Sequence, residues 1–551
     1  MDSDPVLRPP SPPSTIFSDH LGRPVSGSST TTGRWTAALF IIGVEVAESS
    51  VSFCYYAVLS NLITYLSGPL GESTAEVAAN VNTWEGFALM TSLVGALVAD
   101  SLLGRYRTIM LASLLYILGL GMLTLSSILP NLRPQVQLPF FYLSLYLVAF
   151  AQGCLKPAFM ALGADQFDEN DPQECVLRRS FFNWWHFGMN VGMICSLLML
   201  TYLQDNISWG LGFGIPCILM VIATVVFLIG TRMYRCYPLE AQSPFARIGR
   251  AFVAMVRKGG ARSVTSDESC CLFEGEPKEK QHLIAFDQSN VEEDESAESN
   301  AQVKEAKAVL RLFPIWTACI VYAIVFSQSS TFFTKQGGTM DRRIGSSFQV
   351  PPAALQSLIF ATVVLFLPIY DRILVPTVRR FSGTSSGFTL LQRIGTGIAL
   401  SVIAMVVAAL VEGKRLKTAR DFGLIDRPNE TVPMSLWWLV PQYILYGLGE
   451  AFAVVGLQEF FYDQVPDTLR CLGMALFLSI MGVGRLISGF LVAAIQEVTH
   501  RTGESWFSNN LNRAHLDYFY WLLAGLSAIA MIVYLFFAHA YVYKKKVSDA
   551  L

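Results

Sequence analysis

The chain has 551 residues, of which 52% are hydrophobic and only 15% charged, with a mean hydropathy of +0.44. A soluble protein of this length could not hide so much apolar surface without one very large core, whereas a lipid solvent removes the need to hide it. The net charge of −2 gives no footing for a nucleic-acid partner.

Residues 1–33 are polar and rich in Pro and Ser, with Pro9, Pro10, Pro12 and Pro13 close together. They read as a disordered cytoplasmic tail, and no cleavable signal peptide is visible. Apolar runs of about 20 residues then recur, each long enough to cross about 30 Å of hydrocarbon. They predict spans near 36–66, 84–104, 107–129, 139–163, 180–203, 209–231, 307–330, 353–374, 387–411, 436–461, 471–495 and 518–543. The first is long enough to bend or to project past the membrane. The stretch 232–306 begins basic, with Arg232, Arg235, Arg247, Arg250, Arg257, Lys258 and Arg262, and turns acidic at Glu292, Glu293, Asp294 and Glu295. The expected fold is an all-α polytopic membrane protein of twelve transmembrane helices. It has a six-helix lobe over 34–231, a cytoplasmic linker over 232–306, a second six-helix lobe over 307–543 and a cytoplasmic tail over 544–551.

Positive charges orient the spans. Arg105 and Arg107, Arg178 and Arg179, the linker, Arg379 and Arg380, and Lys544, Lys545 and Lys546 mark one side, read as cytoplasmic, with both termini on it. The expected outside loop 412–435 runs against the rule, because it carries Lys414, Arg415, Lys417, Arg420 and Arg427. Two glycosylation sequons, at Asn206 and Asn429, fall in loops assigned to the outside and support the orientation. None of the ten cysteines lies in an expected outside loop, so no disulfide framework is expected. Cys270 and Cys271, in the linker, read as free thiols or as a palmitoylation site.

The turn after the second span reads Gly95-Ala96-Leu97-Val98-Ala99-Asp100 and continues to Gly104-Arg105. Gly and Ala permit close helix contact, and Asp100 and Arg105 can bridge neighbouring helix ends. This D-x-x-x-G-R form resembles the signature loop of the major facilitator superfamily, with a weaker counterpart in Asp371-Arg372 and Arg379-Arg380. Lys156-Pro157 with Ala161 to Asp168, Ser180 to Trp185 with Asn190-Val191-Gly192, and Glu459 to Pro466 are similar to three helix signatures of the plant nitrate/peptide transporter family. That family is the proton-dependent oligopeptide transporter branch of the superfamily, and the likeness runs from about 33 to 545. Asn80-Val81-Asn82 and Gly104 to Thr108 resemble its fifth subgroup.

The resemblance implies a multi-pass secondary transporter, in the plasma or vacuolar membrane, that moves a small solute with protons by alternating access. The solute would be of the nitrate, peptide, hormone or glycoside class. It further implies that Lys156 and Glu450, each well inside a span, meet across the lobes. A charge at that depth costs several kcal/mol unless it faces a wet cavity or a partner. A purely structural pair is the alternative. Glu459 is nine residues past Glu450, about 180° around a regular α-helix, and reads as a structural residue at the cytoplasmic end.

Two departures from the family pattern bear on mechanism. The family's E-x-x-E-R in the first span is here Glu45-Val46-Ala47-Glu48-Ser49-Ser50-Val51-Ser52. Both carboxylates survive at i, i+3, on one face, but the arginine does not. The stretch before Tyr55-Tyr56 is also three residues longer. In the seventh span, counting from Pro314-Ile315-Trp316, Phe326 stands where nitrate carriers of the family have a histidine, next to Ser327-Gln328. A phenylalanine neither donates to nitrate nor takes a proton.

Glu45, Glu48, Lys156 and Glu450 are therefore the expected proton-coupling residues. Tyr55, Tyr56, Gln328 and Phe326 are the substrate-binding candidates, and Asp100, Gly104 and Arg105 the conformational ones. Thr108 follows Arg105 and Arg107, a context that a basic-directed kinase reads, although an unmodified helix-start hydroxyl explains it as well. Trp184, Trp185, Trp437 and Trp438 read as helix-interface or interfacial-belt residues. No metal or cofactor is expected, since none of the six histidines has ligand spacing. A membrane-embedded enzyme would need such a cluster, and a channel would need a repeated filter. Within the transporter class, the alternatives to a proton-coupled symporter are a uniporter or exporter with weakened coupling and a receptor that no longer transports.

Overall fold

The computed structural model describes residues 17–18, 24–25, 55, 58–59, 61–128, 134–164, 166, 189–232, 234–235, 307, 309–344, 348–382, 389–465, 470–501 and 505–541. Glu45, Glu48, Tyr56, Trp184, Trp185, Cys270 and Cys271 lie outside these residues, as does the side chain of Asp100. Near the start, β1 (Phe17–Ser18) pairs antiparallel with β2 (Pro24–Val25).

The helices in chain order are α1 (Leu62–Ser67), α2 (Thr74–Ser101), α3 (Arg105–Ile128), α4 (Pro134–Ala164), α5 (Thr201–Asn206) and α6 (Trp209–Ile229). They continue as α7 (Phe313–Phe326), α8 (Phe332–Gly338), α9 (Ser357–Ile369), α10 (Val375–Ser382) and α11 (Leu390–Asp421). The last four are α12 (Val440–Gly449), α13 (Val455–Asp463), α14 (Arg470–Arg501) and α15 (Leu516–Ala540). Among the described residues, nine helical stretches are long and apolar enough to cross a membrane, and they match the third, fourth and sixth to twelfth expected spans.

These helices are apolar on both sides. On α3, Tyr116, Leu120 and Leu123 are buried, while Leu111, Leu114, Leu118 and Leu125 face outward. On α15, Phe519, Tyr520 and Leu523 are buried, while Ile529, Ile532 and Phe536 are open. Water would penalise such an outer face and lipid does not, so the helix form that satisfies its own backbone bonds is the one that persists.

The chain divides into two compact units. One comprises residues to Glu72, Thr91–Glu240 and Arg342–Val364, and the other Ser73–Met90, Ala241–Asp341 and Leu365 onward. Within the first, α3 packs on α4 and α6. Gly95 of α2 comes so close to α4 that a Cβ there would stand 2.5 Å from the Cα of Cys154. Within the second, α11 packs on α12 and α15, and α7 on α14. A Cβ on Gly484 of α14 would meet Ala323 of α7 at 2.4 Å, so only glycine allows that approach.

Among the described residues, π-helical turns break the helical path at Ser196–Leu200, Tyr370–Leu374 and Glu450–Val454. A capping box starts α11: Thr389 Oγ1 accepts from the Gln392 backbone N–H at 3.2 Å, and Gln392 Oε1 accepts from the Thr389 N–H at 3.0 Å.

Helix α11 also corrects an expectation. The loop placed at 412–435 is helical to Asp421, so Lys414, Arg415, Lys417 and Arg420 stand on its last turns. Arg415 is fully buried in a pair with Glu412, and Lys414 Nζ lies 3.2 Å above the Trp438 ring. Charges held by partners within the protein weigh little in an orientation count of loop residues. Beyond α11, β3 (Met340–Asp341) pairs parallel with β6 (Val432–Ser435), and β4 (Arg343–Ile344) pairs antiparallel with β5 (Phe348–Gln349).

Candidate functional site

Ionisable side chains in apolar spans are expensive, so each must be explained by a partner or by function. Glu450 opens the π turn between α12 and α13. A π turn absorbs one surplus residue, which leaves a carbonyl off the regular ladder and rotates everything beyond it. Arg393 of α11 meets that break: its Nη2 donates to the Ala451 carbonyl at 3.1 Å, and its Nη1 lies 3.2 Å from Glu459 Oε2. The same guanidinium sits 4.6 Å over the Tyr370 ring. At Gly397, one turn along α11, a Cβ would stand 2.5 Å from that of Ala453.

The break also changes the geometry expected for Glu459. Nine regular residues give about 180°, but with one residue absorbed the separation from Glu450 falls to about 80°. Its place as a structural residue rests on Arg393, not on pointing away.

Tyr322 of α7 is buried, and its hydroxyl lies 3.8 Å from where a Cβ on Gly449, the residue before Glu450, would stand. Tyr322 stacks on Phe326 at 6.2 Å, and Phe326 stacks on Tyr446 at 6.0 Å. The Tyr446 hydroxyl donates to the Val325 carbonyl at 2.7 Å, which fixes α12 against the end of α7. Arg485 of α14 approaches the Phe326 ring at 5.8 Å and pairs with Glu85 of α2. Glu450, Tyr322, Phe326, Arg485 and Glu85 thus form one chain of neighbours within the second unit.

Gln328 is fully buried in a polar lock. Its Nε2 donates to the Ile324 carbonyl at 2.9 Å and lies 3.0 Å from both Ser327 Oγ and Ser488 Oγ. Ser488 also accepts from Asn82 Nδ2 at 3.1 Å. This side chain joins α2, α7 and α14. Tyr55 is buried as well.

Lys156 is half-buried on α4 beside Pro157, and it belongs to the first unit while Glu450 belongs to the second. Gly104 turns the chain between α2 and α3 with φ +83°, a left-handed conformation that glycine adopts without strain. Arg105 begins α3, and Asp100 lies in the last turn of α2. Thr108 is 2% exposed, and its hydroxyl donates to the Gly104 carbonyl at 2.9 Å. A kinase would reach it only after that helix end opened. Asn206 and Asn429 are both exposed.

Sequence reasoning passed over Glu85, Arg393, Glu412 and Arg485, and read Arg415 only as a loop charge. The signal was present, since an ionisable residue within an apolar run is itself a pointer. Their pairings are not readable from spacing, because Glu85 and Arg485 are 400 positions apart.

Comparison with known proteins agrees with this architecture. The POT family model, PTR2, matches residues 106–507. Protein NRT1/PTR FAMILY 5.10 of Arabidopsis thaliana is 54% identical over 542 residues, covering 96% of each chain. Protein NRT1/PTR FAMILY 5.14 of the same plant is 49% identical over 546 residues, again covering 96% of each. The crystal structure of an auto-inhibited POT family peptide transporter superposes with TM-score 0.72 at 22% identity, over 92% of this chain and 98% of that one. The POT family transporter PepTSo gives 0.70 at 21% identity, over 91% and 98%. The fold is theirs, and the chain belongs to the POT family, in the fifth NRT1/PTR subgroup.

Proposed function

We propose that this integral, multi-pass transporter moves its solute by alternating access of the 34–231 and 307–543 lobes about the 232–306 linker, with Glu450 as the central proton-coupling carboxylate. The carrying observation is the position of Glu450 at the start of a π turn, with Arg393 holding the next carbonyl. A side chain at such a break changes its surroundings when the helix tightens or bends. Charge exchange between Glu450 and Lys156 would then bias which side the cavity opens to. Glu45 and Glu48 serve the same proton in this reading, and Tyr55, Tyr56 and Phe326 line the path of the solute. The plasma or vacuolar membrane is the site of action. A kinase acting on Thr108 belongs to a state in which that end of α3 has opened. The test is an uptake screen of nitrate, dipeptides and plant hormones into proteoliposomes at two external pH values. Flux that ignores both the pH gradient and Glu450→Gln overturns it.

A second reading, a uniporter or exporter with weakened coupling, is favoured by one observation: no arginine follows Glu48 within the motif. An arginine there would hold nearby carboxylates ionised. Deleting Ser49-Ser50-Val51 together with Ser52→Arg restores spacing and charge. Under this reading the combined change steepens a shallow pH dependence of flux, and a native protein that is already steep rejects it.

A further inference from the structure

Arg415 and Arg485 are both at least nine-tenths buried within helices of the second unit, yet they differ in how their donors are used. Arg415 is saturated. Its Nε and Nη2 donate to the two Glu412 oxygens at 2.9 and 2.6 Å, its Nη2 also to the Leu511 carbonyl at 2.8 Å, and its Nη1 to Asn512 Oδ1 at 2.8 Å and Thr339 Oγ1 at 3.3 Å. That is a structural knot. Among the described residues, Arg485 donates through Nη1 to Glu85 alone. Among the described residues no acceptor takes its Nε or its Nη2. A guanidinium presents five donors in a fixed fork, so the open donors of Arg485 can receive an acceptor that comes from outside the protein.

The surroundings indicate which acceptor. The fork lies beside the Phe326 ring, and Tyr322 and Tyr446 extend that aromatic wall. One turn along, Ser488 ties Asn82 to Gln328, and among the described residues nothing donates to the buried Asn82 Oδ1 and Gln328 Oε1. The site therefore offers a planar cationic donor and an apolar plate. Planar oxyanions match an arginine fork in two-point geometry, and flat groups stack on the plate.

We infer that Arg485 is the specificity-determining residue of this transporter and receives a planar oxyanion, a carboxylate or nitrate, on its open donors. Glu85 holds the guanidinium in place while the site is empty. The substrate class is thus a small anion, and an organic carboxylate with a flat apolar body uses more of the wall than nitrate does. The inference rests on the transporter reading and refines it.

The test uses purified full-length protein in detergent, with benzoate, benzamide and nitrate as probes and the thermal-unfolding midpoint as readout. Wild-type protein should be stabilised saturably by an anion, with benzoate at least ~10-fold tighter than the neutral, isosteric benzamide. R485Q should lose that discrimination, and E85Q should tighten anion binding by roughly 10-fold, because the competing carboxylate is gone. Since either single variant leaves a buried charge without its partner, the neutral double variant E85Q/R485Q serves as the folded control and should bind benzoate no better than benzamide. Nitrate binding equal to benzoate assigns the site to inorganic oxyanions, and benzoate well above nitrate assigns it to carboxylates. An anion preference that survives in E85Q/R485Q, or wild-type protein that no anion stabilises, overturns the assignment. Solute counterflow in wild-type proteoliposomes reports separately on whether the chain transports.

Discussion

Arg393 and Glu459 are joined at 3.2 Å, but the two ends of this bridge are not equivalent. The arginine is almost enclosed and also carries the Ala451 carbonyl, whereas half of the Glu459 side chain is open. Exposed ion pairs contribute about 0–1 kcal/mol, and a buried polar group without its partner costs about 1–3 kcal/mol. Glu459→Gln should therefore be nearly silent in thermal unfolding. Arg393→Met should lower the midpoint clearly and impair flux, because the π turn after Glu450 loses its donor. Equal effects from the two substitutions would contradict this division of labour.

Glu412 and Arg415 are both fully enclosed. Removing one partner of such a pair costs about 3–5 kcal/mol, because the other charge stays buried alone. Glu412→Gln and Arg415→Met should each destabilise severely, while the double variant recovers a large part of the loss. Unfolding in mixed micelles, scored as a double-mutant cycle, measures the coupling. A coupling near zero would remove the pair from the account of stability.

Lys156→Ala and Glu450→Gln should each reduce flux in proteoliposomes to a few per cent, on the order of 50-fold, if their charges exchange during transport. Exchanging the two residues should restore binding better than flux, since attraction survives the swap while the proton route does not. Near-normal flux in either single variant rules the pair out of the mechanism.

Asp205, at the end of α5, accepts a hydrogen bond from Asn61 Nδ2 at 2.5 Å. Burial pushes its carboxyl up, and the Asn61 bond and the Arg342 charge only partly offset that. A raised carboxyl holds its proton longer in the folded state than in the unfolded one. Its effect is absent below the ordinary carboxylate range and turns destabilising as pH rises through the raised value. Thermal midpoints taken upward from about pH 4 should fall in the wild-type protein and fall less in Asp205→Asn. Parallel curves would show that the carboxyl is not responsible.

Nine of the twelve expected spans have a counterpart among the described residues, because an apolar run of bilayer length is a signal in every residue. It also singled out Lys156 and Glu450, since a lone charge in such a run stands out. The helix-packing role read for the Gly95 motif has its counterpart in the contact with Cys154. The π turns left no mark, because one surplus residue changes a helix's phase without changing its composition. That is why Glu459 was assigned the wrong angle. Arg415 was counted as a loop charge because Glu412 and Arg415 close on each other only once α11 extends past the apolar run. Glu85 and Arg485 were each visible, but their meeting depends on α2 lying against α14 at Gly86 and Gly482, which no spacing reports.

The contact between Lys414 and Trp438 has a further meaning for how the protein is seated. Lys414 is on α11, which spans Leu390–Asp421, and lies roughly 36 Å from its first residue at 1.5 Å per residue. Trp437 and Trp438 are both open to the exterior at that level. Indole rings and lysines of this kind favour the headgroup layer, so this flank of the protein is expected to meet it at this level. The Glu412–Arg415 pair then stands within one helical turn of that level and not in mid-hydrocarbon.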